Sequence, residues 1–190
     1  YALMVGQLGL LRAGEALGRR DYQQYFLDSM QTMAEHFTYA CYDAAQFGDP
    51  TFLARATQLK DLDSIGTMGM NLSELSRLTA SPEALFCIEK LERAMYQNIP
   101  RFEDGTFYRG ETMWADDVYM SCPFLLRLGK LTGKAFYYRE CIRQIGGFYR
   151  RLYRKEKRLF SHIFFVKENR ANEISWGRGN GWIFLSLAEL

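Results

Sequence analysis

Leu131-Thr132-Gly133-Lys134-Ala135-Phe136 is a short break between two segments whose apolar residues recur at helical spacing, 116–131 and 134–152. Glycine commonly ends a helix, because its backbone adopts the left-handed conformation without a steric penalty. A connection this short forces the two helices to run antiparallel. This stretch therefore predicts a helical hairpin.

Two earlier breaks have the same character, and they predict two further hairpins. They read Leu17-Gly18-Arg19-Arg20-Asp21-Tyr22 and Leu78-Thr79-Ala80-Ser81-Pro82. The helices predicted around them, together with one more at the end of the chain, cover 2–17, 21–37, 66–79, 82–98 and 180–190.

Hairpins that recur at intervals of roughly 50–60 residues either stack into a solenoid or close into a ring. The long segments 99–113 and 153–179 contain short strand-like pieces at 106–109 and 159–163. The loops also carry Trp, Asp, Arg and His side chains. That concentration favours a closed ring with a site at its mouth.

The composition excludes several classes of protein. Hydrophobic residues make up 48% of the 190 residues, which predicts a folded chain, and the net charge of +2 argues against nucleic acid as the main partner. The four cysteines are far apart and form no C-x-x-C pair, so we expect no zinc cluster and no disulfide framework. We also predict no metal and no cofactor. No apolar run is long enough to cross a bilayer, so no membrane partner is expected.

The chain begins at Tyr1 and ends at Leu190 within an apolar helical pattern. We therefore interpret residues 1–190 as one domain that is truncated at its C-terminal end. The sequence leaves open both the oligomeric state and the location, which could be the bacterial cytoplasm or periplasm.

Three junctions between a loop and a helix carry the chemically informative residues. In the first, Asp61 to Met70, Asp63 fits either a helix N-cap or a functional acid. Gly66 and Gly69 share a helical face and would let another backbone approach closely.

The second junction reads Met113-Trp114-Ala115-Asp116-Asp117-Val118-Tyr119-Met120. On a helix, Asp116 and Asp117 point in different directions, so one is expected to face a cavity and the other water. Paired acids in a first turn are often only partners of the helix dipole. The adjacent Trp114 favours a functional role, because a sugar ring stacks on an aromatic wall.

The third junction reads Ser175-Trp176-Gly177-Arg178-Gly179-Asn180-Gly181-Trp182. Three glycines in five residues predict a backbone that bends tightly around something. The planar guanidinium of Arg178 suits a carboxylate, although a purely structural cation–π contact with a tryptophan is the alternative. His162 lies upstream, between two aromatic-rich loops.

The second and third junctions carry the pattern W-x-D-x-x-Y-M followed by W-x-R-G-N-G-W, and in this respect the chain resembles glycoside hydrolase family 105. Family 88 is a more distant relative. An earlier aspartate with a following G-x-M-G is matched by Asp63 and Gly66-Thr67-Met68-Gly69. The resemblance covers all 190 residues and implies an all-α fold, the (α/α)6 barrel, of which this chain would be a partial segment.

The resemblance also implies a reaction. The substrate would be an oligosaccharide, made by a polysaccharide lyase, with a 4,5-unsaturated uronic acid at its non-reducing end. The enzyme would protonate the C4–C5 double bond and add water at C5, after which the hemiketal opens and the glycosidic bond breaks. In ordinary glycosidases the distance between two carboxyl groups distinguishes retaining from inverting enzymes. That rule does not apply to this hydration.

The resemblance assigns a role to each matching residue. Asp116 would be the general acid and then the base, while Asp63 would bind sugar hydroxyls and hold Asp116. The expected substrate-binding residues are Trp114, His162, Trp176, Arg178 and Trp182.

One position departs from the family pattern. Tyr108-Arg109 stands where the family commonly has an aromatic residue followed by histidine. Arg109 could bind a carboxylate or sulfate of the substrate, so we include it among the predicted substrate-binding residues.

Two other classes compete with the hydrolase. A non-catalytic helical toroid that binds oligosaccharide would need the aromatic residues and Arg178 but would have no need of Asp116. A helical-repeat scaffold for protein interactions predicts an extended concave surface and no cluster of Trp, Arg and Asp at one end.

Overall fold

The computed structural model describes residues 1–48 and 57–190. Its main helices form antiparallel hairpins, as the short breaks predict. The helices are α1 (Ala2–Leu17), α2 (Arg20–Phe47), α3 (Leu62–Thr79), α4 (Pro82–Gln97), α5 (Cys122–Thr132), α6 (Ala135–Leu152) and α7 (Gly177–Ala188).

The helices begin and end at residues with the expected chemistry. Asp61 caps α3 by accepting a hydrogen bond of 2.7 Å from the backbone N–H of Ser64. Ser81 caps α4 in the same way, and Pro82 follows it at the first helical position. Gly18 and Gly133 end α1 and α5 in the left-handed conformation, with φ of 65° and 69°.

The hairpins form two layers of helices. In one layer α3 packs between α1 and α5, while in the other layer α2 packs on α4. Helix α3 is buried continuously from Ile65 to Ser76, whereas α4 buries only the face that contains Ala84, Cys87 and Leu91. This difference identifies α3 as an inner helix and α4 as an outer one.

Short strands lie in the loops before α5 and α7. They are β1 (Thr112–Trp114), β2 (Tyr153–Arg154), β3 (Leu159–Phe160), β4 (Ile163–Phe165) and β5 (Arg170–Ala171). Strands β1, β4 and β5 form an antiparallel sheet in that order, and β2 pairs with β3. Trp114 faces Ile163 across the β1–β4 pair, which brings the second junction next to His162.

Four predicted elements differ from the structure. Helix α2 continues to Phe47 instead of ending at residue 37, because its buried face continues through Phe37 and Ala40. The predicted helix over 116–131 is divided into a 3₁₀ turn (Ala115–Val118) and α5, which starts just before Pro123. Residues 106–109 form only isolated bridges, and the strand predicted over 159–163 is interrupted at Ser161 and His162.

Across residues 1–48 and 57–190, no helix is both long enough and apolar enough to cross a membrane.

Candidate active site

Asp116 and His162, which are 46 residues apart in sequence, form the chemical centre of the site. Asp116 Oδ2 lies 3.2 Å from His162 Nε2. The side chains of Asp116 and His162 are 10% and 16% exposed, so a ligand can reach both from one side. The structure therefore brings together the predicted general acid and a predicted substrate contact.

The position of His162 is fixed through its backbone. Its carbonyl accepts a hydrogen bond of 2.8 Å from the N–H of Ala115, and its N–H donates to the carbonyl of Ile174, also at 2.8 Å. The first bond joins His162 to the residue before Asp116, and the second joins it to the segment before Trp176. His162 thus connects the second and third junctions.

Aromatic rings enclose the imidazole of His162. The Trp114 ring meets it edge-on with centroids 4.9 Å apart, and the Trp176 ring lies tilted at 4.5 Å. The indole N–H of Trp114 donates to Thr112 Oγ1 at 2.9 Å, which fixes the orientation of the ring. Two of the three tryptophans in the sequence therefore lie against His162, and their role in binding substrate stays a prediction.

Asp117 is fully buried, so the expectation that the second acid of the pair faces water is wrong. It accepts hydrogen bonds from Arg109 and from the backbone N–H of Trp114. Burial raises the pKa of Asp117 above its ordinary value, while the charge of Arg109 acts in the opposite direction. The 3₁₀ turn directs this carboxyl group inward, a direction that the helical prediction did not provide.

Asp63 lies in the first turn of α3 and is not the N-cap, which is Asp61. Its two carboxylate oxygens accept hydrogen bonds from Arg109 at 3.1 and 3.2 Å. The side-chain hydrogen bonds of the described residues include this pair but none between Asp63 and Asp116. The observed partner of Asp63 is therefore Arg109, and the role of Asp63 in holding Asp116 stays a prediction.

Arg109 has protein carboxyl groups as its partners. Burial alone lowers the pKa of the guanidinium, but Asp117 and Asp63 raise it above its ordinary value, so Arg109 stays a cation. Its predicted role in binding the substrate stays a prediction. Its Nε, Nη1 and Nη2 donors point at Asp63 and Asp117.

Gly66 lets α3 approach the segment that carries the catalytic candidates. A Cβ atom at this position would lie 1.7 Å from the carbonyl oxygen of Met120. One turn later, a Cβ at Gly69 would meet the ring of Phe124 at 2.5 Å. The expected close approach of another backbone is confirmed at Gly66, whereas the neighbour of Gly69 is a side chain. These contacts place α3 against the start of α5 and the residues just before it.

The third junction is the start of a helix, and the tight bend predicted for its glycines is wrong. Helix α7 begins at Gly177, and a Cβ at Gly177 or Gly181 would meet nothing within 4 Å. Gly179 is different, because a Cβ there would lie 3.5 Å from side-chain atoms of Ala115, His162 and Trp176. This position of α7 therefore faces the site.

Arg178 is exposed and lies over the ring of Trp176, with Cζ 3.8 Å from the ring centroid. Trp182 lies deeper along α7 and stacks on Tyr119, with centroids 4.8 Å apart and an interplanar angle of 25°. Arg178 and Trp176 therefore belong to the immediate surroundings of His162, while Trp182 packs against the residue three positions after Asp116.

Sequence reasoning missed the role of Asn180. Its side chain accepts a hydrogen bond from the N–H of Phe160 at 2.9 Å and donates to the carbonyls of Phe160 and Trp176. These bonds fasten α7 to β3, two residues before His162. The asparagine in the glycine-rich motif was a visible signal, but its partner at Phe160 depends on the tertiary structure.

Within residues 1–48 and 57–190, no three or more His, Cys, Asp or Glu side chains converge in a way that could hold a metal ion.

Comparison with known proteins assigns this fold and site to a family. The model of Glycosyl Hydrolase Family 88 matches residues 1–190, and the chain belongs to that family. A solved glycoside hydrolase of family 105 from C. acetobutylicum ATCC 824 superposes with a TM-score of 0.78 at 18% identity. That superposition covers 98% of this chain and 51% of the other, and it confirms the fold as a segment of an (α/α)6 barrel.

Two curated relatives are similar in sequence. The unsaturated rhamnogalacturonyl hydrolase YesR of Bacillus subtilis (strain 168) is 27% identical over 133 residues, which are 65% of this chain and 39% of that protein. An unsaturated 3S-rhamnoglycuronyl hydrolase of Formosa agariphila is 36% identical over 86 residues, or 40% of this chain and 23% of that protein. The matched regions thus span less than half the length of these relatives.

Proposed function

We propose that the protein to which this chain belongs is a glycosidase that removes a 4,5-unsaturated uronic acid from the non-reducing end of lyase-generated oligosaccharides. The observation that carries this proposal is the contact of 3.2 Å between Asp116 and His162 beside Trp114 and Trp176. Membership of Family 88 and the activities of the two similar proteins, both unsaturated uronyl-type hydrolases by name, support it.

Asp116 acts first as an acid and then as a base in this proposal. Its carboxyl group gives a proton to C4 of the double bond, and the positive charge that develops at C5 is shared with the ring oxygen. The Asp116 carboxylate then takes a proton from the water molecule that attacks C5. The resulting hemiketal opens to a ketone, and the aglycone leaves from C1 as an alcohol.

The surrounding residues hold the ring and the acid. His162 Nε2 is within hydrogen-bonding distance of Asp116 Oδ2, so it orients the carboxyl group through the proton transfer. Trp114 and Trp176 offer aromatic surfaces on which a sugar ring can stack. The exposed guanidinium of Arg178 is placed to bind the carboxylate of the unsaturated ring, and Asp63 is available for its hydroxyl groups.

The decisive experiment supplies the full-length protein with unsaturated oligosaccharides prepared by several polysaccharide lyases. Loss of the ultraviolet absorbance of the double bond measures turnover. We expect the wild type to remove this absorbance and Asp116→Asn to leave it nearly unchanged. Asp28→Asn is the matched control, because it makes the same chemical change at an exposed position on α2.

Two results would reject the proposal. One is a wild type that binds these oligosaccharides but consumes none of them, as a non-catalytic toroid would. The other is an Asp116→Asn variant that turns over as fast as the Asp28→Asn control.

A further inference from the structure

The guanidinium of Arg109 connects two carboxyl groups from different parts of the chain. Its Nη1 and Nη2 donate to Asp63 at 3.1 and 3.2 Å, and its Nε donates to the two oxygens of Asp117 at 3.1 and 3.2 Å. Asp63 is in the first turn of α3, and Asp117 follows Asp116 in the 3₁₀ turn. Arg109 therefore ties the start of α3 to the segment that carries the proposed acid.

The three side chains differ in their access to solvent. Asp117 is 0% exposed, whereas Arg109 and Asp63 are each 28% exposed. A buried carboxyl group depends on protein donors for its hydrogen bonds, and Asp117 obtains them from Arg109 and the backbone N–H of Trp114. Since the guanidinium is a rigid planar fork, fixing its Nε side on Asp117 also fixes the direction of its Nη1 and Nη2 donors.

We propose that Asp117 and Arg109 are positioning residues that hold Asp63 toward the substrate, and that Arg109 does not recognise an anionic group of the substrate. This inference rests on the proposed function, in which Asp63 contacts the sugar. Nε, Nη1 and Nη2 of Arg109 all donate to protein carboxyl groups. A substrate carboxylate or sulfate would have to displace Asp63 and would approach two acidic side chains at once.

Arg178 is the better-placed cation for an anionic ligand. It is exposed on the first turn of α7 and stacks on Trp176, which also contacts His162. The two arginines therefore have different roles: Arg109 orients the carboxyl group of Asp63, and Arg178 binds the carboxylate of the substrate.

Steady-state kinetics of the full-length protein on a lyase-generated oligosaccharide separate positioning from anion binding. We expect Arg109→Gln and Asp117→Asn each to lower kcat about tenfold or more, because small displacements of a catalytic group are costly, while KM changes little. Arg109→Lys should recover little of the loss, since an ammonium group cannot bind both carboxyl groups as a fork. Asp28→Asn again serves as the matched control.

An effect on KM instead of kcat would overturn the inference. If Arg109→Gln raises KM with kcat unchanged, and Asp117→Asn behaves like the wild type, Arg109 binds the substrate's anion. A purely structural role would lower the melting temperature of the variants but leave kcat and KM of the folded fraction unchanged. That result would also overturn the inference.

A second measurement does not need turnover, so it separates failure of this inference from failure of the proposed function. The Nε–H of Arg109 should give an NMR signal that exchanges slowly with water in the wild type, because Asp117 is buried. Slow exchange should be lost in Asp117→Asn and kept in Asp63→Asn. Equal exchange in the wild type and Asp117→Asn would refute the positioning role, even in a protein that is inactive on every lyase product.

Discussion

Asp116 Oδ2 lies 3.2 Å from His162 Nε2, although the two residues are separated by 46 positions in the chain. Antiparallel pairing of β1 with β4 creates this contact, because it sets Trp114 opposite Ile163 and lets Ala115 bond to the backbone of His162. The sheet is short, but Asp116 lies just after the end of β1, and His162 immediately precedes β4.

Replacing Asp116 by asparagine should lower kcat by about 10²–10⁴-fold, because the amide cannot give a proton to C4 or take one from water. The measurement is loss of the double-bond absorbance, with circular dichroism to confirm that the variant is folded. A loss of turnover that is equalled in Asp28→Asn would point to general damage and would contradict a specific role for Asp116.

Replacing Arg178 by alanine should raise KM for unsaturated oligosaccharides, while kcat changes less. Binding should weaken because the variant lacks the guanidinium that stacks on Trp176 and is proposed to bind the substrate carboxylate. Arg178→Lys should fall between alanine and wild type, since it keeps the charge without the bidentate fork. An unaltered KM in Arg178→Ala would show that the contact with Trp176 is structural only.

Gly66→Ala should destabilise the fold by about 1–3 kcal/mol or more, because the new methyl group must displace the chain at Met120. Gly9→Ala is the matched control, since it lies on α1 with nothing within 4 Å of the added atom. That control should gain about 0.5–1 kcal/mol from the better helix propensity of alanine. Urea unfolding measures both, and equal free energies of unfolding would contradict the close approach.

Asp104 should make the stability depend on pH in the acid range. Burial alone raises its pKa, but hydrogen bonds from Arg151 and Thr106, with a further one from Arg150, lower the pKa of Asp104 well below its ordinary value of 3.8. A lowered pKa in the folded state means that this stabilisation is complete above the ordinary value and is lost as the pH falls below it.

The corresponding test compares the wild type with Asp104→Asn by urea unfolding at neutral pH and near pH 3. The wild type should be the more stable protein at neutral pH, and the difference should shrink in acid. A difference that stays constant between the two pH values would show that the ionisation of Asp104 does not contribute.

The sequence by itself determined the helical hairpins and most of the site's residues. Gly18, Gly133 and Pro82 act within a few residues of their own positions, so helix ends can be read from the local chain. The motif around Trp176 identified the family for a similar reason, because the chemistry of a site restricts its residue types.

The tertiary structure alone decided how those residues are paired. One acid of the Asp116–Asp117 pair was expected to face water, yet both are buried, and the partner of Asp63 is Arg109. These positions depend on how distant segments of the chain pack together. Local sequence determines which conformations a segment prefers, but a hydrogen bond across 46 residues depends on packing that no single segment encodes.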